Sequence, residues 1–181
     1  MRTAILGTAL TLTAATALAL TAPAHADAGG PVLLASCTAT MTGSYASALD
    51  PGSTNAQQPD TLRQTGSVTC VDAAGQPLIR GTVTRTTDLP AAQCSGIASS
   101  DPSTTRITWD DGTATTVTLH QATVIAVLGT ASTTGTGTAT ADSTKFSGDT
   151  VDVAVTSSGP GCGTAKGQTD VASTMVFVLA H

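Results

Sequence analysis

The sequence predicts an all-β fold, a single antiparallel sandwich or up-and-down barrel of about eight strands with two disulfides. Threonine supplies about one residue in five, glutamate is absent and lysine and methionine are scarce. Threonine and valine lose side-chain freedom in a helix and fit the pleated surface of a strand. Apolar residues also recur at every second position, the period of a half-buried strand. The sequence leaves the choice between sandwich and barrel open.

The alternation is clear near the C-terminus, where Val151, Val153 and Val155 share one face of a predicted strand. Similar patterns predict strands at 34–43, 65–72, 78–87, 104–109, 113–127, 130–141, 149–157 and 169–180. Asp110-Asp111-Gly112 predicts a tight hairpin turn, because an Asp-Gly pair readily adopts positive φ angles.

Two stretches lack this alternation. Segment 45–64 is predicted to be a polar loop, and segment 88–103 a second irregular stretch tethered by a cysteine. The core is predicted to be Val, Ile and Leu, with Trp109, Phe146 and Phe177 as its large residues.

The four cysteines, Cys37, Cys70, Cys94 and Cys162, predict two disulfides, because an even count is typical of bridged exported proteins. Three pairings are possible. We favour Cys37–Cys70, which would tie neighbouring strands, and Cys94–Cys162, which would join two glycine-containing loops. A zinc site is a weaker interpretation, because the chain has no CxxC pair.

Residues 1–26 have the organisation of a secretory signal peptide. Arg2 provides a minimal positive region, a charge-free apolar stretch follows, and Ala24-His25-Ala26 supplies the small-x-small pattern of a cleavage site. A membrane-spanning helix is less favoured, because threonines dilute the apolar stretch and Pro23 ends it. Cleavage would leave residues 27–181 as a single all-β domain, long enough to bury a core.

A lipoprotein is the competing interpretation of this region, because Leu34-Ala35-Ser36-Cys37 resembles a lipobox. Two observations argue against it. Charged and glycine residues separate the box from the apolar stretch, and lipidation of Cys37 would leave an odd number of cysteines.

The predicted mature chain is acidic, with twelve Asp against six Lys and Arg. A surface with so few basic residues repels phosphate, so we expect neither nucleic acid nor anionic membranes as partners. No stretch after the leader is long and apolar enough to span a bilayer.

Few residues could carry catalysis or bind metal. His120 is the one histidine inside the predicted fold, and without a GxSxG motif we interpret it as a polar residue on the wet face of a strand. Asp110 and Asp111 indicate turn chemistry, because the repeating acidic ladder of a calcium loop is missing. Asp149 and Asp152 are placed at a strand start and on an outer face. We expect no catalytic, cofactor-binding or metal-binding residues.

Two further segments have functional alternatives. TASTTGTGTATA places alternate threonines from Thr134 to Thr140 on one face, as a hydroxyl surface for ice, a mineral or a polymer would require. One such strand is not a repeat array, so an exposed threonine strand is preferred. DLPAAQCSGI, with Leu89-Pro90 ahead of Cys94, could be a protease-inhibitor loop if it were exposed.

Several motifs follow one another along the chain: an Ala/Thr-rich leader ending in AHA, CTATMTGS, ITWDDGTATTVT, TGTGTAT, KFSGDTVDV and a late cysteine before an apolar strand. Together they resemble a group of small secreted β-rich actinobacterial proteins of uncharacterised function. The resemblance implies a disulfide-linked β fold and supplies no catalytic residues. Enediyne-carrier apoproteins are similar in composition, but their cysteines close short loops. Streptavidin resembles the barrel alternative, but its aromatic ligand cage has no counterpart here.

We therefore expect a secreted, extracellular, non-enzymatic protein whose role is interaction or structure and whose partner is an extracellular protein or surface. One alternative is a carrier of a small apolar ligand in a cleft of the β fold. Another is a protease inhibitor or hydrolase, which the sequence supports least.

Overall fold

The structure, a computed structural model, describes residues 32–181 except Ser53 and Gln121. The signal peptide expected at residues 1–26 lies outside the described residues. The described part is all-β and contains no helix. Its strands are β1 (Leu33–Leu49), β2 (Gln58–Val71), β3 (Pro77–Ala92), β4 (Gly96–Ser99), β5 (Ser103–Trp109), β6 (Ala114–Leu119), β7 (Thr123–Val127), β8 (Thr130–Ala139), β9 (Thr150–Ser158) and β10 (Gln168–Ala180).

Eight of these strands close into an antiparallel barrel, in the order β1-β2-β3-β5-β6-β8-β9-β10. Each barrel strand pairs with the barrel strand that follows it in sequence, β4 and β7 being left out, and β1 pairs with β10 to complete the ring. The barrel is therefore of the up-and-down type, which decides between the two predicted architectures. Closure satisfies the backbone groups that an open sheet would leave at its edges.

The two remaining strands extend the sheet outside the ring. The C-terminal half of β8 pairs with β6, while its N-terminal half pairs with β7 on the same side. The strand predicted at 113–127 is therefore wrong as a single strand, because it breaks after Leu119. Between the β6 and β7 ladders the chain uses one residue more than β8 does, the signature of a bulge. β4 pairs with β7 and ends the sheet.

Inward-facing side chains fill the ring with a barrel core of valine, isoleucine, leucine and methionine around two large aromatics. Trp109 and Phe177 are buried as predicted, and Phe146 packs partly buried against Trp109, edge to face, with ring centroids 5.8 Å apart. The Cys37–Cys70 disulfide lies within this core and joins directly opposed residues of β1 and β2. The favoured pairing is therefore confirmed for the first bridge.

A second apolar group, the end cluster, packs where β1, β2 and β3 run past the ring. It consists of Leu49, Leu62, Leu89, Ala92, Cys94 and Val171, with Tyr45, Val124 and Cys162 partly buried against it. The Cys94–Cys162 disulfide belongs to it, which confirms the second bridge. Because both bridges form, the zinc interpretation is wrong. Two disulfides indicate an oxidising compartment.

The end cluster also corrects both predicted loops. Segment 45–64 is largely strand, because β1 continues to Leu49 and β2 begins at Gln58. The buried carboxylate of Asp60 holds the two strands together there, accepting hydrogen bonds from the backbone amides of Ala46 at 2.8 Å and Ser47 at 3.2 Å. Segment 88–103 contains the end of β3 and all of β4.

Within the described residues, no helix has the length and hydropathy needed to cross a membrane.

Candidate functional site on the outer face of the barrel

The outer face of the barrel carries hydroxyl side chains in rows that cross the strands. Strand alternation turns these threonines and serines outward, and the pairing registers bring them side by side. The first row consists of Thr156, Thr174, Thr40, Ser67, Thr82 and Thr108, on β9, β10, β1, β2, β3 and β5. Neighbours in a row are about 4.8 Å apart, and the hydroxyls of Thr40 and Ser67 lie 3.4 Å apart.

Two more rows run parallel to the first, each about 7 Å further along the strands. The second consists of Ser158, Ala172, Thr42, Thr65, Thr84 and Arg106. The third consists of Asp170, Ser44, Arg63, Thr86 and Thr104. The exposed threonine strand expected in TASTTGTGTATA is present in β8, where Thr134, Thr136 and Thr138 are exposed. These three residues lie outside the three rows.

A groove of about 770 Å³ lies between the second and third rows, across β10, β1, β2 and β3. We call it the hydroxyl groove. Its floor is formed by Gly43 together with Val171, Gln64 and Arg85, whose side chains point inward. A Cβ on Gly43 would lie 2.1 Å from the carbonyl oxygen of Arg63, so glycine permits the close approach of β1 and β2 there. A neighbouring groove of about 520 Å³ runs between the first and second rows.

The charged side chains on the walls of the hydroxyl groove have opposite signs. Arg63 and Asp170 flank Ser44 on the third row, since Ser44 is paired with both. Arg63 and Asp170 do not form an ion pair with each other. The two ion pairs of the described residues are Lys145–Asp111 and His181–Asp149. The walls are therefore nearly neutral and offer mainly hydroxyl groups, each able to donate and accept a hydrogen bond.

Beneath the groove, a polar layer inside the barrel separates the barrel core from the end cluster. Gln64 donates through Nε2 to the hydroxyl of Ser173 at 2.5 Å, and Ser173 donates to Ser157 at 2.8 Å. The neighbouring Arg85 is only 7 % exposed. Burial lowers the pKa of its guanidinium to about 10, so the group stays charged at neutral pH. The layer joins β2, β10 and β9 under the groove and holds its floor in place.

The structure places His120 in the break between β6 and β7, exposed, with its backbone amide bonded to the carbonyl of Thr136 at 2.8 Å. It thus lies just past the end of a strand rather than on its wet face. Neither ion pair of the described residues includes it.

A second histidine takes part in a contact that the sequence did not reveal. Nδ1 of His181, the last residue, lies 2.8 Å from the carboxylate of Asp149, which is buried. Asp149 immediately precedes β9, as predicted, and Asp152 is exposed on the outer face, also as predicted. No spacing rule links these two positions, because the contact depends on β10 pairing with β9.

The Asp110-Asp111-Gly112 segment forms the predicted turn between β5 and β6. The Gly112 amide donates to the Trp109 carbonyl at 2.9 Å, and the glycine has φ of 82°. Asp111 accepts from the Thr113 amide at 3.0 Å and from Lys145 Nζ at 2.7 Å. Turn chemistry therefore accounts for this carboxylate.

Replacing Lys145 by methionine should raise the pKa of Asp111. The Lys145 hydrogen bond is the main cause that lowers this pKa to about 2, followed by the hydrogen bonds from Thr113. A lowered folded-state pKa contributes stability above the unfolded value of about 3.9, and this contribution is lost as the pH falls toward 2. Carboxyl NMR titration should show an Asp111 midpoint shifted toward 3.9 in Lys145→Met. Lys166→Met is the control and should leave the Asp111 midpoint unchanged; equal midpoints in all three proteins would contradict the assignment.

The segment DLPAAQCSGI is not a protruding loop. Leu89 and Ala92 lie in β3, and both are buried together with Cys94. A substrate-like inhibitor loop must present its residues to a protease cleft, so this placement gives no support to the inhibitor alternative.

The cavity found within the barrel core, between β5, β6, β9 and β10, measures about 10 Å³. A single water molecule needs at least about 10–15 Å³. Among the described residues, no group of three or more His, Cys, Asp or Glu side chains could hold a metal ion.

Comparison of the chain with protein-family models, with curated proteins and with solved structures finds no match. The resemblance to small secreted actinobacterial proteins remains an expectation from the sequence.

Proposed function

We propose that the protein is secreted and acts outside the cell as a non-enzymatic binding protein, with an extended, neutral, hydroxyl-bearing polymer in its hydroxyl groove. The class of ligand that we propose is the cell-wall and extracellular polysaccharides. The observation that carries the proposal is the alignment of outward hydroxyls into parallel rows, with a groove of about 770 Å³ between two of them. The two disulfides support an extracellular site of action.

The shape of the groove favours an extended ligand. It crosses four neighbouring strands, and on the second row the hydroxyls of Thr42, Thr65 and Thr84 follow one another about every 4.8 Å. On the third row the hydroxyls of Ser44 and Thr86 are separated by Arg63. A polymer lying across β1, β2 and β3 could therefore meet a hydroxyl of the second row at each step. The groove has no exposed aromatic side chain for stacking, so many weak hydrogen bonds, direct or through water, must supply the affinity.

The charge of the groove favours a neutral ligand. Arg63 and Asp170 on its walls have opposite signs, and Arg85, the third charged residue of the lining, is buried in the floor. The exposed charges of the walls therefore balance. Hydroxyl groups recognise other hydroxyls and amides without requiring a charge.

The interior of the barrel is less suited to a ligand than its outer face. A cavity of about 10 Å³ leaves no room for a small molecule, so the carrier alternative lacks the cavity it would need inside the ring. Burial of Leu89, Ala92 and Cys94 likewise favours binding over protease inhibition.

Replacing Thr65 and Thr84 together by valine tests the proposal. Valine keeps the branched shape and the strand preference of threonine but removes the hydroxyl. Loss of two hydrogen bonds of about 1 kcal/mol each should weaken binding roughly tenfold to thirtyfold. Co-sedimentation with insoluble cellulose, chitin and β-1,3-glucan, three neutral polysaccharides, would measure this.

Two matched variants control the experiment. Thr65→Ser with Thr84→Ser keeps both hydroxyls and should bind like the unmodified protein. Thr134→Val with Thr136→Val removes two exposed hydroxyls on β8, away from the groove, and should also retain binding. Absence of binding to all three polymers, or an equal loss in the groove and β8 variants, would refute the proposal.

A further inference from the structure

The sheet extension outside the barrel exposes an apolar patch that the proposed polymer site does not use. Ile97 of β4 lies directly opposite Ile125 of β7, and Val127 lies two residues further along the same face. Leu128 continues the patch at the turn into β8. Ile97 is 70 % exposed and Leu128 77 %. We call these four residues the β4–β7 patch.

The opposite face of β7 is already packed against the rest of the protein. Val124 packs against the end cluster and Ala126 is buried. The β4–β7 patch is therefore not the inner side of a core. Soluble proteins seldom expose contiguous apolar surface of several hundred Å² unless it takes part in an interaction.

The strands that form the patch, and β8 beside them, contain no charged residue. The segments 89–100 and 112–141, which include all of β4, β7 and β8, contain no Asp, Glu, Lys or Arg. The rest of the mature chain is strongly acidic. Two copies of one acidic protein repel each other over most of their surfaces, and an uncharged face is where they can approach most closely. A basic partner, by contrast, would be attracted to the acidic surfaces elsewhere.

We propose that the β4–β7 patch is a self-association surface, on which a second copy of this chain packs face to face about a two-fold axis. The four apolar side chains form the centre of the interface. Exposed hydroxyl residues beside them, Ser99, Thr123, Thr130 and Ser132, form its polar rim. A symmetric pair buries the same patch on both copies, so each supplies the apolar surface that the other needs.

The size of the patch sets the expected strength. Four apolar residues with a hydroxyl rim place the contact among the small specific interfaces, which bury less than about 1,200 Å² in total. We therefore expect a reversible dimer with a Kd of about 10–100 μM. The inference does not depend on polymer binding, since the hydroxyl groove and the patch share no residue.

Sedimentation equilibrium of the purified, disulfide-bonded chain, at concentrations up to about 200 μM, tests the proposal. We expect a monomer–dimer equilibrium. Ile97→Lys and Val127→Lys should each weaken it at least about tenfold, because a lysine ammonium would lose hydration at the centre of the interface. Circular dichroism should show that both variants remain folded, since both side chains are exposed.

Leu78→Lys is the matched control. Leu78 is an exposed leucine at the start of β3, outside the patch, and its replacement should leave the dimer unchanged. Raising the salt concentration should tighten the dimer, because it screens repulsion between like-charged copies without weakening an uncharged contact. A monomer over the whole range, an equal loss in the Leu78→Lys control, or dissociation by salt would overturn the proposal.

Discussion

Replacing Trp109 by alanine should lower the free energy of unfolding by about 3–5 kcal/mol, the range for a fully buried tryptophan. Trp109 is 2 % exposed and lies in the barrel core. Its indole N–H donates to the hydroxyl of Thr115 at 2.9 Å, and that hydroxyl donates to the carbonyl of Lys145 at 2.7 Å. Alanine would leave a cavity at one end of the ring and remove the packing partner of Phe146.

Urea unfolding measured by far-ultraviolet circular dichroism is the appropriate experiment, because Trp109 is the single tryptophan and its fluorescence disappears with it. Trp109→Phe is the companion variant. It keeps most of the buried volume and loses the N–H, so its destabilisation should be clearly smaller. A loss below about 1 kcal/mol in Trp109→Ala would contradict the placement of this residue in the core.

Replacing Cys94 and Cys162 together by alanine should cost about 4 kcal/mol. The bridge joins residues 68 apart, and closing a loop of this length removes much of the freedom of the unfolded chain. In the folded state it ties the segment between β3 and β4 to the loop between β9 and β10. The carbonyl of Cys94 also accepts the Gly129 amide at 3.0 Å, so the bridge lies at the base of the sheet extension.

Removing the Cys37–Cys70 bridge instead distinguishes a local loss of structure in the sheet extension from a loss of stability of the whole fold. The Cys37→Ala, Cys70→Ala pair opens a loop of 33 residues and should have a slightly smaller entropic effect. Amide hydrogen exchange measures which strands lose protection in each double variant. We expect faster exchange concentrated in β4 and β7 without Cys94–Cys162, and spread over β1 and β2 without Cys37–Cys70. Identical exchange patterns in the two double variants would show that Cys94–Cys162 does not secure the extension.

Strands were predictable from the sequence where the buried face is apolar. β9 and β10 agree with prediction because valine, methionine, phenylalanine and leucine occupy nearly every inward position. The first part of β2 was missed because its inward positions include Asp60 and Gln64. Each of these is stabilised by a hydrogen bond to a residue distant in sequence, and no local pattern reports such a partner.

Local sequence patterns also could not predict the break after β6 or the presence of β4. The break follows from a one-residue change of register against β8, which is a property of two paired strands rather than of either alone. β4 has only four residues, Gly96–Ser99, and its pairing with β7 spans the intervening hairpin of β5 and β6.

The candidate site was predictable only in fragments. A single threonine strand was recognised in β8, but the rows of the hydroxyl groove depend on which strands are neighbours and on their registers. The β4–β7 patch was hidden for the same reason. Ile97 and Ile125 are 28 positions apart and meet only through the pairing of two short strands.

The closure of the ring by its first and last strands has a consequence for how the chain folds. β1 pairs with β10, with Leu33 opposite Ala180, and two backbone hydrogen bonds between Val32 and His181, at 2.9 and 3.0 Å, extend this pairing. Contacts so far apart in sequence form slowly, because the loop entropy must be overcome first. The ring therefore cannot close until β10 has been synthesised, and until then β1 has a partner strand on only one side.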